Sequence, residues 1–188
     1  VYAWGFAKEE DTQGFLGTGS PITGIIPAAA AGAISQADTG KTDVSGYEFA
    51  DWEAAVAKIQ PYAEDGAAWY VSRAAYYNGI VPLLNAAGGN AITDIEAGYT
   101  RRFMGFPVRI SNVLPAGTTG EKFAVFGNLS QSAVMGDRRG FSTAVSADAQ
   151  FEKDQLVLKG TERVDVQAHD VGTASVAGAY VVLQTAAT

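Results

Sequence analysis

The segment between residues 132 and 168 most constrains the fold, because its apolar and polar residues alternate with a period of two. The alternation is clearest in 155–159 and 161–167, and it predicts long antiparallel strands with one solvated face. A hairpin that turns at Asp137-Arg-Arg-Gly140 is expected before them. A two-stranded ribbon buries little surface by itself, so we expect it to lean on another part of the protein.

The rest of the chain mixes helix and strand patterns without a regular βαβ repeat, which favours an α+β fold over a doubly wound sheet. Phe49, Trp52, Val56 and Ile59 recur at helical spacing and predict a helix of about 12 residues that stops at Pro61. Strands are predicted at 67–71, at 122–126 and at 174–183, the last as a central strand, and residues 102–110 are predicted to form a turn that enters a strand.

Glycine and proline mark the connections between these elements. Ser72 is placed to cap a second helix that runs through Leu84 and ends at Gly88-Gly89, with Pro82 kinking or splitting it. Residues 17–27 read as a structured loop, and the small, polar residues 28–46 as a flexible surface connection.

The first residues fit the last turns of an amphipathic helix, because Tyr2, Trp4 and Phe6 precede an acidic stretch and Gly14. The segment has no initiator Met and no secretory signal pattern. We therefore expect the chain to begin inside a helix of a longer protein, with a processed helical N-terminus as the alternative.

Composition excludes several classes of function. The chain has 188 residues, 47% of them apolar, and is expected to bury a real core while exposing about 8,600 Å² of folded surface. It contains no Cys and one His, which excludes a disulfide framework, thiol catalysis, thiolate metal sites and multi-histidine metal sites. No apolar run is long enough for a membrane span.

The charge is unevenly distributed along the chain. The formal net charge of -7 falls entirely in residues 1–70, which carry ten acids and three bases, whereas bases and acids balance in 71–188. An acidic surface repels phosphates and anionic lipids, so we expect neither nucleic-acid nor membrane binding as the main function.

Candidate catalytic groups are sparse. His169 and Asp170 with Glu162 could act as acid and base, but a lone His beside an acid at a strand end is more often a solvated or capping residue. Asp94 and Glu96 could pair as glycosidase carboxylates, although two residues apart they fit an exposed turn better.

The arginine pairs Arg101-Arg102 and Arg138-Arg139 could contact DNA. Without interleaved aromatic residues they are more typical of ion pairs between subunits or of a solvated face.

A series of short motifs occurs in an order that matches a known family. In the first half these are Lys8-Glu9-Glu10, Phe15-Leu16-Gly17-Thr18-Gly19, Gly24-Ile25, Trp69-Tyr70-Val71-Ser72-Arg73 and Leu83-Leu84 before Gly88-Gly89. In the second half they are Arg102-Phe103-Met104-Gly105-Phe106-Pro107-Val108, Phe126-Gly127-Asn128-Leu129, Val134-Met135-Gly136-Asp137-Arg138, Phe151 and Glu162-Arg163-Val164-Asp165. Together they resemble the major capsid proteins of tailed phages, the Hong Kong 97-type fold.

This resemblance implies a division into domains. Residues 1–13 would be the end of the spine helix, 14–128 with 170–188 the axial (A) domain of mixed sheet and helices, and 129–169 the β-ribbon of the peripheral (P) domain. The family's N-terminal arm and extended E-loop would precede this chain. The motif residues that it singles out as structural or assembly candidates are Gly17, Gly19, Gly105, Pro107, Asp137, Arg138, Glu162 and Arg163.

One branch of the family cross-links its shell through an Asn and a catalytic Glu in the peripheral ribbon. The positions similar to these two residues hold Asp154 and Thr161 here. The resemblance therefore implies no autocatalytic isopeptide chemistry.

The function implied is that of a structural, non-enzymatic head protein that assembles with itself into hexamers and pentamers of an icosahedral shell around the genome. The implied location is the virion, after assembly in the host cytoplasm, with a scaffolding protein, a protease and a portal as candidate partners. No cofactor, metal, sequence-specific nucleic acid or membrane is expected. An encapsulin-like compartment is the alternative within the fold, and a hydrolase domain the alternative from another class.

Overall fold

The computed structural model describes residues 2–88, 101–146, 148, 150–153 and 155–188. Within these residues the chain forms a six-stranded sheet flanked by helices, together with a separate two-stranded ribbon. This mixture of elements confirms the α+β prediction.

The strands of the main sheet follow the order β1-β8-β5-β2-β4-β3. Two pairs, β1 with β8 and β2 with β4, are parallel, and the other neighbours are antiparallel. The strands are β1 (Ile34–Gln36), β2 (Ala68–Val71), β3 (Arg102–Phe103), β4 (Phe106–Ile110), β5 (Lys122–Gly127) and β8 (Tyr180–Gln184), and the ribbon strands are β6 (Ala133–Ser146) and β7 (Val157–Ala168).

Short helices connect these strands, and one longer helix opens the chain. The α-helices are α1 (Tyr2–Leu16), α2 (Ile25–Ala28), α3 (Phe49–Lys58), α4 (Arg73–Ala75), α5 (Val81–Ala86) and α6 (Leu129–Ser132). Single 3₁₀ turns lie at Ala31–Ala33, Val44–Gly46, Pro61–Ala63 and Phe151–Lys153.

An aromatic cluster fills the space between α3 and one face of the sheet. The fully buried Trp52 of α3 meets Trp69 of β2 edge to face, with their ring centroids 5.2 Å apart, and Phe103 at 5.4 Å. Trp69 in turn lies 4.2 Å from Phe126 of β5. The spacing that predicted α3 thus places Trp52 in the core, and such ring pairs stabilise it beyond the area that they bury.

The opposite face of the sheet is covered by α2. Tyr180 and Val182 of β8 pack with Ile25 and Ile26, and the Tyr180 hydroxyl donates a 2.8 Å hydrogen bond to the carbonyl of Ile25. Burial raises the pKa of Tyr180. Since β8 is buried on both faces, its sequence is a continuous apolar run. The prediction of a central closing strand is confirmed, although the strand begins at Tyr180 instead of residue 174.

Pro82 is accommodated by a π-helical turn. Ser72 caps α4, as predicted, by accepting a 3.1 Å hydrogen bond from the amide of Ala75. The helix then widens into a π turn over Tyr76–Ile80, and α5 begins at Val81 with Pro82 in its first turn. A proline is tolerated in the first turn of a helix, where its missing N–H is not needed. The predicted helix is therefore divided into α4 and α5, and the π turn connects them. The helix was predicted to end at Gly88-Gly89, and Gly89 lies outside the described residues.

The prediction of a flexible connection over residues 28–46 is wrong. The segment contributes edge strand β1, which pairs with β8, and it buries Ala33 and Val44 completely or nearly so. Ala33 fits because it is small, and the segment's low hydropathy concealed its burial.

The predicted hairpin turn at Asp137 to Gly140 is also wrong. β6 runs through these residues without reversing, and it pairs along its length with β7, which itself continues through Gly160. The register shifts twice, between Asp137 and Arg139 and between Arg139 and Ser142, so β6 carries two extra residues. Such bulges favour the same polar and glycine residues as tight turns, which is why the pattern misled.

Helix α1 extends beyond its predicted glycine stop. It continues through Gly14 to Leu16, and the chain then enters a tight loop. In that loop the amide of Gly17 donates a 3.0 Å hydrogen bond to the carbonyl of Gln13, and the amide of Gly24 donates a 2.8 Å bond to the carbonyl of Gly17. This confirms the prediction of a structured loop for residues 17–24, whereas residues 25–27 belong to α2.

Gly17→Ala should destabilise the protein, because a Cβ there would lie 2.5 Å from the carbonyl oxygens of both Gln13 and Ile22. Overpacking of this kind costs roughly 1–3 kcal/mol. Gly5→Ala in α1 is the matched control, since its Cβ would meet nothing within 4 Å and should stabilise the helix by up to about 1 kcal/mol. Urea unfolding of both variants checks the opposite signs; equal effects would contradict the account of the loop.

Candidate assembly surface

The ribbon is inserted between two neighbouring interior strands of the sheet, β5 and β8. β5 leads through α6 into β6, and β7 returns through residues 169–179 to β8. At the base of the ribbon the outgoing and returning segments are hydrogen-bonded to each other. The carbonyl of the fully buried Ser132 accepts hydrogen bonds from the amides of His169 (2.9 Å) and Asp170 (3.3 Å). The ribbon is therefore anchored to the sheet through backbone bonds.

Two side-chain contacts strengthen this base. Asn128 caps α6 by accepting from the amide of Ser130 (3.1 Å), and its side-chain amide donates a 2.7 Å bond to the carbonyl of Asp65. The Tyr62 hydroxyl donates a 2.6 Å hydrogen bond to the Asp170 carboxylate, which raises the pKa of Tyr62. Both contacts tie the base of the ribbon to the turn region that follows α3.

Helix α1 supplies the support that the ribbon needs. The ring of Phe6 packs edge to face on Phe141 of β6, with a centroid distance of 4.9 Å. Both rings crowd Gly160 of β7, where an added Cβ would lie 3.0 Å from Phe6 and 3.2 Å from Phe141. Nearer the base, Gly14 faces Val166. The expectation that the ribbon leans on another element is confirmed.

The part of the ribbon beyond Phe141 leaves apolar side chains in solvent. Val145 and Leu158 lie directly opposite each other in the register and are 63% and 43% exposed, and Leu156 is 73% exposed. Adjacent exposed apolar groups of this kind mark interaction surfaces. We call these three residues the apolar tip.

Four of the predicted assembly residues meet on the ribbon. Asp137 and Arg138 lie at the first bulge of β6, and Glu162 and Arg163 lie on β7 beside it. Arg163 pairs in register with Arg139, so two exposed like charges face each other. Among the described residues the ion pairs are those of Lys41 with Glu48 and Asp51, and none involves these arginines.

The other predicted residues lie in two separate places. Gly17 and Gly19 shape the loop after α1, and that loop's Pro21 and Ile22 line a groove of about 390 Å³ with Glu162 and Arg163. Gly105 and Pro107 belong to the β3–β4 hairpin at the far edge of the sheet. Met104 and Gly105 both have positive φ there, which confirms the predicted turn.

The groups considered for catalysis do not converge. Glu162 is seven residues from His169 along an extended strand, a separation of about 20 Å, and Asp170 is occupied by Tyr62. Asp94 and Glu96 lie outside the described residues. Within the described part of the chain, no group of three or more acidic or His side chains is arranged to hold a metal, and no helix is long and apolar enough to cross a membrane.

Of the two positions compared with cross-linking residues, Asp154 lies outside the described residues. Thr161 is part of the ribbon, where its hydroxyl lies 2.9 Å from that of Ser142 on the opposite strand.

Sequence reasoning missed Gly160, Phe6 and Phe141 as a unit. The alternating segments 155–159 and 161–167 are separated by Gly160 in the sequence, whereas in the structure Gly160 lies inside β7 and makes room for both rings. A glycine inside an alternating strand signals a close approach, and this signal was present in the sequence.

Comparison with known proteins identifies the fold. A family model described as the phage capsid family matches residues 1–174. A search of curated proteins finds no match. Among solved structures, the capsid of a native GTA particle superposes with a TM-score of 0.76 at 20% identity, covering 98% of this chain and 63% of that one.

Two further structures extend this likeness. The structure titled Mycobacterium phage Bobi gives a TM-score of 0.63 at 18% identity, covering 95% of this chain and 60% of that one. The holo-SrpI encapsulin complex of Synechococcus elongatus gives 0.61 at 13% identity, covering 95% and 61%. The chain thus spans less than two thirds of the length of each of these structures.

Phe6→Ala should loosen the ribbon from α1, because it removes one of the two rings that pack over Gly160. We expect a loss of roughly 1–2 kcal/mol, less than for a fully buried Phe, since Phe6 is only half-buried. Trp4→Ala is the control on the same helix, since Trp4 is 72% exposed and should cost little. Hydrogen exchange of the β7 amides measures the effect; equal exchange in both variants would contradict this support role.

Proposed function

Because the chain belongs to the phage capsid family, we propose that it forms the sheet and ribbon region of a tailed-phage major capsid protein. The whole protein would assemble with itself, through hexamers and pentamers, into an icosahedral shell around the genome. The observation that carries this proposal is the apolar tip, whose three side chains are exposed in the structure.

The accessible surface supports the same proposal. A compact monomer of 19.6 kDa is expected to expose about 8,600 Å². This chain exposes 10,689 Å², roughly a quarter more than that expectation. The ribbon, whose residues are mostly exposed or half-buried, contributes to this excess, and symmetric neighbours would cover part of it.

Charge complementarity offers the second kind of contact. Arg138, Arg139 and Arg163 are exposed on the ribbon, whereas the excess of acids lies in residues 1–70. Ribbon arginines of one copy would pair with acids of its neighbour. Each such pair is weak alone, and repetition by symmetry makes them collectively strong.

In this proposal residues 1–13, the larger part of α1, correspond to the end of a spine helix, residues 14–128 and 170–188 to the axial domain, and 129–169 to the peripheral domain. The joint at Ser132 and His169 supports the boundary near residues 129 and 169. Assembly would take place in the host cytoplasm before the shell becomes part of the virion, with a scaffolding protein, a protease and a portal as partners. The protein would act without catalysis.

The likeness to an encapsulin favours one second candidate, a compartment that encloses protein cargo. The contents of shells formed by the full-length product of the gene that encodes this chain distinguish the two functions. Packaged double-stranded DNA supports the capsid proposal, whereas a co-purifying cargo protein in DNA-free shells supports the compartment.

Val145→Asp should abolish or strongly reduce shell formation, because it places a charge in the apolar tip and leaves the folded core untouched. Ala144→Asp is the matched control, since Ala144 is the adjacent exposed residue on the opposite face of β6 and pairs with Lys159. Sedimentation of assembled particles measures the effect, with circular dichroism to verify folding. Normal shells from a folded Val145→Asp variant would overturn the assignment of the tip as an interface.

A further inference from the structure

One face of α1 meets the ribbon at successive helical turns. Phe6, Glu10 and Gly14 are spaced four residues apart, which places them along one face. Phe6 packs at Gly160 and Gly14 faces Val166, so Glu10 lies between two close contacts with β7. Between the same two contacts, the β7 residues that point to this face are Glu162 and Val164, and both line one groove with Phe6 and Glu10.

Two carboxyl groups thus meet in the middle of the contact between helix and ribbon. Partial burial, a hydrogen bond with Glu162, and the negative charges of Glu162, Asp11 and Asp137 together raise the pKa of Glu10. The other charged groups that line this groove are Glu9 and Arg163, whereas Pro21 and Ile22 contribute none. Glu9 is engaged elsewhere, because its carboxylate accepts a 2.7 Å hydrogen bond from Gln13.

We propose that Glu10 and Glu162 form a proton-dependent latch that fastens α1 to the ribbon. With one proton between them the two carboxyls share a hydrogen bond. When both are ionised they repel, with Asp11 and Asp137 adding to the repulsion, and the helix loosens from β7.

The sign of the pH dependence follows from linkage. The docked state holds its proton more tightly than the undocked state, because the pKa of Glu10 is raised in the folded structure. The latch therefore stabilises docking at acidic pH and loses this contribution as the pH rises through the raised pKa. The proposal concerns contacts within one chain, so it stands or falls independently of shell formation.

The consequence is a ribbon whose attachment depends on pH. Its base is fixed to the sheet by the backbone bonds at Ser132, so loosening at Glu10 would free the outer part while the base holds. Protonation would then set how firmly the apolar tip is oriented.

The test is a pH series of hydrogen exchange on the dispersed protein, corrected for intrinsic exchange rates and read at the amides of α1 and β7. In the wild type, protection should fall as the pH rises through the pKa of Glu10, and a carboxyl NMR titration of Glu10 and Glu162 should show the same step. Glu10→Gln, which keeps a hydrogen-bond donor without the charge, should lose the step and stay protected at high pH.

Glu9→Gln is the matched control, because it removes the same charge from the neighbouring position and should keep the step. If Glu10→Gln fails to fold, Glu162→Gln tests the same pair from the ribbon side with the same expected loss. Protection that does not change with pH in the wild type, or a Glu10→Gln profile identical to that of Glu9→Gln, would overturn the latch.

Discussion

The contact between α1 and the ribbon is the interaction on which the shape of the molecule depends. Two strands alone bury too little apolar surface to hold a fixed structure in water. Here the rings of Phe6 and Phe141 close over Gly160, and the helix that carries Phe6 is joined directly to the sheet domain. The ribbon is held beside the sheet by this helix and by the backbone and side-chain bonds at its base, and the three apolar side chains of its tip are exposed.

Because α1 supports only part of the ribbon, the chain can have a stable core and still expose apolar side chains at the apolar tip. The sheet is buried on both faces and is sufficient as a core, with Trp52 and Trp69 on one side and Tyr180 on the other. The ribbon adds surface and little core, and in the proposed shell its apolar tip would be covered by neighbouring copies. A subunit built in this way folds first and completes its burial by association, which is what membership of the phage capsid family leads us to propose.

The predictability of the fold from sequence differed between its parts for physical reasons. Helix α3, strands β2 and β5 and the central closing strand were predictable, because their apolar periodicity reflects burial directly. The edge strand β1 and the turn before it were not, since small residues such as Ala33 of that turn can be buried without a hydropathy signal. The bulges of β6 resemble a turn in sequence, because Asp and Gly are common both in bulges and in tight turns. At the candidate site, the family motifs pointed to Glu162 and Asp137, but the pairing of Glu162 with Glu10 requires the helix to be placed in space.

The central claim is that the outer ribbon is an interface between copies of this protein in a shell. Electron cryomicroscopy of particles formed by the gene that encodes this chain tests it most directly, at a resolution that traces side chains. The account predicts closed shells in which Val145, Leu156 and Leu158 are covered by a neighbouring copy. Shells in which these three side chains remain in solvent would contradict it.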